Sequence, residues 1–271
     1  MNISVIVRLT MLLIGFYSPN IISAQILNVD REVTDSMNKR WYILLTGSFA
    51  KDKQKNNIQD MSLYTESVYK LKNGMALTYV GQIDATLSAK ELIQNEGYFH
   101  IKWRDLDNRT NSIELFSQYQ WNGAWGLQNR SLFGLNFRER ILEKNGYDLY
   151  FGIGTFYQSE IWNYNGVSDL SKIPMNPVNI IDKQLRINSY IKGAIKITPK
   201  CDFVCHTYLQ ADAMKLMTNP KYRWYWSSEL VYNINDNWMF GINYDHTINK
   251  KNPVPIDTYY YGYQANLSLK F

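Results

Sequence analysis

Strict alternation of apolar and polar residues is the feature that most constrains how this chain folds. The last segment, 258–271, reads TYYYGYQANLSLKF, and its apolar face consists of Tyr259, Tyr261, Tyr263, Ala265, Leu267, Leu269 and Phe271. Its other face consists of Tyr260, Gly262, Gln264, Asn266, Ser268 and Lys270. A period of two over this length predicts a β-strand with one apolar and one more polar face.

The same alternation recurs between turn signals along the chain and predicts twelve strands. They are expected at about 41–53, 58–71, 75–87, 95–106, 112–122, 127–142, 147–162, 184–198, 202–214, 222–234, 237–248 and 258–271. Most of them match the roughly ten residues that a tilted strand needs to cross a membrane. The sequence therefore predicts an all-β fold, a single antiparallel up-and-down transmembrane β-barrel of twelve strands, with ten strands as the alternative.

The connections between these strands alternate in length. The even-numbered ones are short turns rich in Asn, Asp and Gly, as tight hairpins require: Lys72-Asn73-Gly74, Asp107–Asn111, Glu143–Gly146, Pro199-Lys200 and Asn235-Asp236. The odd-numbered ones include the longer stretches 163–183, 215–221 and 249–257, which contain most of the prolines. This alternation is typical of an outer-membrane barrel with both termini in the periplasm.

The alternation alone does not say which face points inward. A soluble lipid-binding barrel would place the apolar face inside, but side chains cannot fill a barrel of twelve strands. We therefore expect the apolar face to contact lipid. Six tryptophans lie near predicted strand ends, where aromatic girdles form at the two membrane interfaces. They are Trp41, Trp103, Trp121, Trp162, Trp224 and Trp238.

The N-terminus has the pattern of an export signal. Arg8 precedes the apolar run 11–17, and the small residues Ser23 and Ala24 follow it. We expect a signal peptide at 1–24, a short periplasmic segment at 25–40 and the barrel at 41–271. The mean hydropathy of −0.35 excludes a helical membrane protein. The net charge of +5 is a mild excess without a basic patch, so we expect no nucleic-acid partner.

The run 115–140, LFSQYQWNGAWGLQNRSLFGLNFRER, resembles the core of the salt-induced outer-membrane protein family, in a Bacteroidetes-like version. The matching features are Gln118-Tyr119-Gln120, Arg130 and Gly134-x-x-x-Arg138. Asn28-Val29 and the strand beginning at Trp41 fit the same family. The resemblance implies a barrel in the outer membrane of a Gram-negative bacterium. The family offers no established substrate or activity to transfer.

Parity and strand direction place charged residues on the inner face. A periplasmic-side cluster is expected from Lys102, Arg104, Glu114, Arg138 and Arg140, and an extracellular-side cluster from Arg130, Glu160 and Arg186. Two interpretations remain open. The clusters can be structural networks, since buried charges need partners. They can also form a constriction that favours anions, since rings of Arg and Lys select anions.

The leading functional hypothesis is a porin-like passive pore for small solutes, with anions as one option. The alternatives are a non-conducting structural or envelope-stress barrel with a charge-plugged lumen, and an outer-membrane lipid hydrolase. We expect no enzyme, because His206 has no evident partner serine, and no cofactor or metal. Three alternatives remain for Cys201 and Cys205, namely free thiols, a disulfide or a metal site. The expected partners are outer-membrane lipids, the barrel-assembly machinery and small solutes, and the chain is expected to be a monomer.

The alternating aromatic and aliphatic residues of the final strand predict a membrane-assembly signal formed by Tyr263, Leu267, Leu269 and Phe271. Deleting Phe271 should lower the yield of protein assembled in the membrane and leave any pore selectivity of the assembled molecules unchanged. Quantifying the outer-membrane fraction tests this prediction. A normal membrane yield would contradict it.

Overall fold

The computed structural model describes residues 40–53, 57–71, 74–89, 91–105, 110–218 and 221–270. The predicted signal peptide, the segment before Arg40 and Phe271 lie outside these residues. The strands are β1 (Trp41–Lys53), β2 (Asn57–Lys70), β3 (Met75–Ser88), β4 (Glu91–Asp105), β5 (Asn111–Asn122), β6 (Leu127–Lys144), β7 (Tyr147–Trp162), β8 (Ile180–Thr198), β9 (Cys201–Asp212), β10 (Tyr222–Asn233), β11 (Trp238–Asn249) and β12 (Tyr259–Lys270). Two short 3-10 helices span Gly123–Trp125 and Leu170–Lys172.

The twelve strands form one closed barrel, which confirms the predicted fold. Each strand pairs antiparallel with its sequence neighbours, and β1 pairs with β12 to close the ring, where Leu44 lies opposite Lys270. Every predicted strand boundary lies within four residues of the observed one. We call the end with the connections 71–74, 106–110, 145–146, 199–200 and 234–237 the short-turn end. The opposite end carries 163–179, 213–221 and 250–258 and is called the long-loop end.

The two faces of the barrel wall have opposite polarity. Through the middle of β6, for example, Phe133, Leu135 and Phe137 are exposed on the outer surface, whereas Asn136 and Arg138 are buried inside. Between the β-bulges, even-numbered side chains of the described residues point inward along β1–β9 and β12, and odd-numbered ones do so in β10 and β11. Beyond the bulges the parity changes, as at Leu127 of β6, which is buried inside. An apolar outer surface around a polar interior reverses the arrangement of soluble proteins and is typical of a barrel surrounded by lipid.

Glycines on the inner face make room for large aromatic side chains. Gly134 on β6 lies between two phenylalanines of the neighbouring strands β5 and β7. A Cβ added at Gly134 would lie 2.5 Å from Phe116 Cζ and 2.5 Å from Phe156 Cβ. It would also lie 2.8 Å from the backbone oxygen of Thr155, which cannot move without disturbing the sheet. The small residue is therefore part of how these aromatic rings fit inside the wall.

We predict that Gly134→Ala destabilises the barrel by about 1–3 kcal/mol, because the added methyl group overpacks this site. The measurement is the free energy of unfolding in urea, in lipid vesicles. Gly193→Ala is the matched control, since the nearest atom to its added Cβ is Leu149 Cδ1 at 3.8 Å, an ordinary contact. Equal stability of the two variants would contradict the packing interpretation.

Candidate functional site

The first group of interior charges lies near the short-turn end, around the buried carboxylate of Glu114 on β5. Its Oε1 lies 3.5 Å from Arg138 Nη1 on β6 and 4.0 Å from both Lys102 Nζ and Arg104 Nη1 on β4. The hydroxyl of Tyr190 on β8 donates a hydrogen bond of 2.8 Å to the other oxygen, Oε2. We call Lys102, Arg104, Glu114 and Arg138 the Glu114 cluster. The structure brings these four predicted residues together around one carboxylate.

Arg140, the fifth residue predicted for this group, is held closer to the short-turn end. Its Nη1 lies 2.7 Å from Glu143 Oε2, and its Nε lies 4.0 Å from Asp148 Oδ1. Its Nε and Nη2 donate hydrogen bonds of 3.0 Å and 2.8 Å to the hydroxyl of Tyr150. The contacts with Asp148 and Tyr150 join β6 to β7 near the 145–146 connection.

The second group of interior charges surrounds Glu160 of β7, towards the long-loop end. Arg130 on β6 donates from Nε to Glu160 Oε1 at 2.5 Å, and Arg223 on β10 donates from Nη2 to the same oxygen at 3.4 Å. The indole nitrogen of Trp162 donates to Glu160 Oε2 at 2.9 Å. Arg186 on β8 completes the group electrostatically. We call Arg130, Glu160, Arg186 and Arg223 the Glu160 cluster.

Arg223 is a member that the sequence prediction missed. It lies three strands from Glu160 around the ring, so the contact runs across the interior and not between paired neighbours. One sequence signal could have found it. In the segment 222–227, YRWYWS, the residues Trp224 and Trp226 mark the outer face, which leaves Arg223 on the inner one.

The Glu160 cluster holds more donors than it has acceptors. Five guanidinium nitrogens are buried without a hydrogen-bond partner in the described part of the chain: Arg130 Nη2, Arg186 Nε and Nη1, and Arg223 Nε and Nη1. Leaving such a buried donor unpaired costs about 1–3 kcal/mol, and more for a charged group. The three arginines are at most 3% exposed. The cluster therefore has guanidinium donors that Glu160 leaves unpaired and that can bind a further negatively charged group.

An apolar cluster crosses the barrel at the long-loop end. Trp125, Leu127, Trp162, Val167 and Val254 are buried together, and Tyr164, Ile173, Ile180, Ile256 and Tyr260 pack against them. The rings of Trp125 and Tyr260 stack with their centroids 4.4 Å apart. Trp125 precedes β6, and Tyr260 belongs to β12, six positions away in the ring of twelve. We call these ten residues the apolar cap, because their contacts bridge opposite walls of the mouth.

Local features of the β5–β6 connection place Trp125 in the cap. The side chain of Asn122 accepts a hydrogen bond of 2.9 Å from the Trp125 backbone nitrogen at the start of the 3-10 turn. Gly126 ends the turn with a φ of 76°, which favours glycine. The backbone nitrogen of Asn163 then donates to the Gly126 oxygen at 2.8 Å. This bond ties the longest connection, 163–179, to the turn that carries Trp125.

A smaller apolar cluster lies near the short-turn end. Leu44 of β1, Val231 of β10 and Met239 of β11 are buried together, with Tyr42 and Tyr64 against them. The cluster therefore joins β1 to strands that are not its neighbours in the ring.

One part of the interior is more accessible than the rest. Inward side chains of β1–β3 and of β11–β12 are half-buried midway along the strands: Thr46, Ser62, Tyr64, Gln82, Asp84, Asn243, Asp245, Gln264 and Asn266. Their carboxylates are held by neutral groups, such as Asp84 by Gln82 Nε2 at 2.7 Å and Asp245 by the Tyr225 hydroxyl at 2.5 Å. The accessible wall therefore carries neutral and acidic groups, while the two basic clusters are buried against the opposite wall.

The structure corrects one residue of the predicted aromatic girdles. Trp41, Trp103 and Trp238 face outward at the short-turn end, and Trp121 and Trp224 face outward at the long-loop end. Trp162 instead points inward, is 0% exposed and belongs to the apolar cap. Its even number puts it on the same face as Glu160, so parity predicts the observed direction.

Other sequence candidates for chemistry remain separate in the described residues. Cys201 and Cys205 are free thiols. His100 contacts the side-chain oxygen of Gln118 through Nδ1 at 3.1 Å, and the ring of His206 packs against Tyr208 and Tyr225. No group of three or more His, Cys, Asp or Glu side chains suited to a metal ion occurs in the described ranges. No helix among the described residues is long and apolar enough to cross a membrane.

Solved structures of outer-membrane barrels are similar in architecture. A NanC porin shows 12% identity and a TM-score of 0.44, over 84% of this chain and 96% of that chain. The KdgM porin, in complex with disordered oligogalacturonate, shows 8% identity and a TM-score of 0.42, over 85% and 98%. The translocator domain of the autotransporter NalP from Neisseria meningitidis shows 9% identity and a TM-score of 0.46, over 88% and 90%. No protein-family model and no curated protein sequence matches this chain.

We predict that Glu114→Gln lowers the free energy of unfolding by about 3–5 kcal/mol, because it leaves the buried cations of the Glu114 cluster without their shared carboxylate. The substitution keeps an oxygen that accepts the bond from Tyr190, so the loss reports on charge. Glu143→Gln is the control, since that side chain is 62% exposed in its pair with Arg140 and should contribute less than about 1 kcal/mol. Urea unfolding in lipid vesicles measures both. Similar losses for the two variants would contradict this role of Glu114.

Proposed function

We propose that this protein is an outer-membrane pore for small polar solutes, and that the described conformation is its closed state. The observation that carries the proposal is the apolar cap across the mouth of a barrel whose interior is polar. A polar lumen provides a path that water and small solutes can wet. A dry apolar barrier in that path blocks it, as hydrophobic constrictions do in channels.

The proposed location follows from the outer surface and the connections. The exposed apolar side chains fit the hydrocarbon layer of an outer membrane, where short turns face the periplasm and longer loops face outward. The short-turn end, and with it both chain termini, would then be periplasmic. The cap would lie on the extracellular side. The resemblance to the salt-induced outer-membrane protein family stays a prediction that agrees with this location.

A second function has its own observation in its favour. Both charge clusters are buried and crosslink the wall, for instance from Tyr190 on β8 to Glu114 on β5. A barrel filled in this way can serve as a non-conducting structural or envelope-stress protein. The two proposals differ in what happens when the cap is weakened. A gated pore opens, whereas a filled barrel remains closed.

We predict that Trp125→Ala increases ion conductance. Deleting a buried tryptophan costs the cap about 3 kcal/mol, which corresponds to about two orders of magnitude in the equilibrium between closed and open states. Planar-bilayer recording of the refolded protein measures the effect. Wild-type protein should conduct rarely, and the variant should conduct for most of the recording.

Tyr260→Ala and Tyr261→Ala form a matched pair for the same recording. Tyr260 stacks on Trp125 in the cap, whereas its neighbour Tyr261 is exposed on the outer surface. Tyr260→Ala should raise conductance, and Tyr261→Ala should behave as wild type. If both cap variants fold and stay silent, the gated pore is excluded and the non-conducting barrel remains.

A further inference from the structure

We propose that the Glu160 cluster is an oxyanion-binding site, formed by the guanidinium groups of Arg130, Arg186 and Arg223 beneath the apolar cap. The ligand class is a small molecule or ion that carries a carboxylate, phosphate or sulfate group. As a statement about the transported solute, this inference rests on the proposed pore. As a statement about binding, it stands on the geometry of the cluster alone.

The first argument is the surplus of donors. Arg130 and Arg223 converge on one oxygen of Glu160, at 2.5 Å and 3.4 Å, and still keep three buried nitrogens without a partner. Arg186 makes no ion pair in the described part of the chain, and two of its nitrogens are buried without a partner. Two guanidinium groups thus share one oxygen of Glu160, and the guanidinium of Arg186 in the same cluster has no carboxylate partner in the described residues. An arginine fork matches the paired oxygens of an oxyanion, and such charge-assisted bonds are strong.

The second argument is that the other nearby carboxylates have partners of their own. Asp182 accepts from Gln184 Nε2 at 2.6 Å and lies 3.6 Å from Lys221 Nζ. Asp212 lies opposite Arg186 in the β8–β9 register, and its Oδ1 accepts from the backbone nitrogen of Met214 at 3.0 Å. Both acids moderate the positive potential of the cluster. Neither forms an ion pair with Arg186 in the described residues, so an incoming oxyanion has donors to bind.

The cap controls access to this site. Trp162 is buried in the cap and also donates its indole N–H to Glu160 at 2.9 Å. The three arginines are at most 3% exposed, so a ligand reaches them when the cap moves. Opening the cap also withdraws one donor from Glu160. The site is therefore placed where a solute would arrive first after entering from the long-loop end.

Sulfate is the probe for the test, because it presents the oxyanion group alone. Folded protein in zwitterionic detergent is titrated with sodium sulfate at constant ionic strength, and binding is followed by calorimetry and tryptophan fluorescence. We expect saturable binding. Arg186→Gln should weaken it by about tenfold or more, the effect of losing one charge-assisted interaction. Arg186 is the residue of choice because its removal leaves the ion pairs of Glu160 intact.

Lys183→Gln is the matched control, because Lys183 is an exposed residue of the same strand on the outer face and loses the same charge. Its affinity for sulfate should equal that of wild type. Glu160→Gln should bind sulfate several-fold more tightly, since it removes the competing carboxylate. A purely structural cluster predicts the opposite, weaker binding or none. Heat-modifiable migration on gels checks that each variant is folded.

Two results would overturn the proposed site. The first is no saturable sulfate binding by the wild-type protein, which would mean that ordered water satisfies these donors. The second is equal sulfate affinity of the wild-type protein and folded Arg186→Gln. Acetate and phosphate titrations then distinguish carboxylate-bearing from phosphate-bearing ligands. Because binding is measured without a membrane, its failure is separate from failure of the pore. If the protein conducts ions but binds no sulfate, the oxyanion site is rejected and the pore is retained. If the protein is silent but binds sulfate, the pore is rejected and the oxyanion site is retained.

Discussion

The constraint on which the structure depends is that backbone hydrogen bonds must be satisfied where no water is present. In lipid, a sheet with a free edge would leave a row of unpaired N–H and C=O groups. The antiparallel ring closed by β1 and β12 removes that edge. The apolar side chains on the outer face fit the proposed location of the ring in lipid. Polar and charged side chains lie in the interior, where their burial requires hydrogen-bond or ion-pair partners.

The interior meets this requirement across the lumen as well as along the wall. Neighbouring strands supply the cations around Glu114, but its second oxygen is satisfied from β8, three strands away. Glu160 is likewise shared between β6 and β10. Both contacts join strands that are three apart in the ring and therefore cross the interior. The β1–β3 and β11–β12 walls carry neutral and acidic groups, and the half-buried inward side chains midway along the strands lie on that side.

The fold could be predicted from sequence because the information is local. A period of two, read between turns, is sufficient to find each strand and to assign its faces. The charge clusters could be predicted in part, since Arg130 and Glu160 are direct partners in the β6–β7 register. Arg223 and Tyr190 could not be assigned to them in the same way, because their contacts cross the interior. Trp162 is the converse case, because its position near a strand end predicts a girdle residue, whereas its parity predicts the inward direction that the structure has.

The cap could not be predicted because its residues are distant in sequence and lie mainly in connections, which have no periodicity. Its position nevertheless gives the charges a second role. Glu160 is bonded to Trp162 of the cap and to Arg130 and Arg223 beneath it. An anion that binds these arginines competes with Glu160 for their donors, and a carboxylate freed in this way no longer holds the indole in one place. Ligand binding acts on the arginines at Oε1 of Glu160 and cap opening acts on Trp162 at Oε2 of the same carboxylate, so any coupling between the two events is reciprocal.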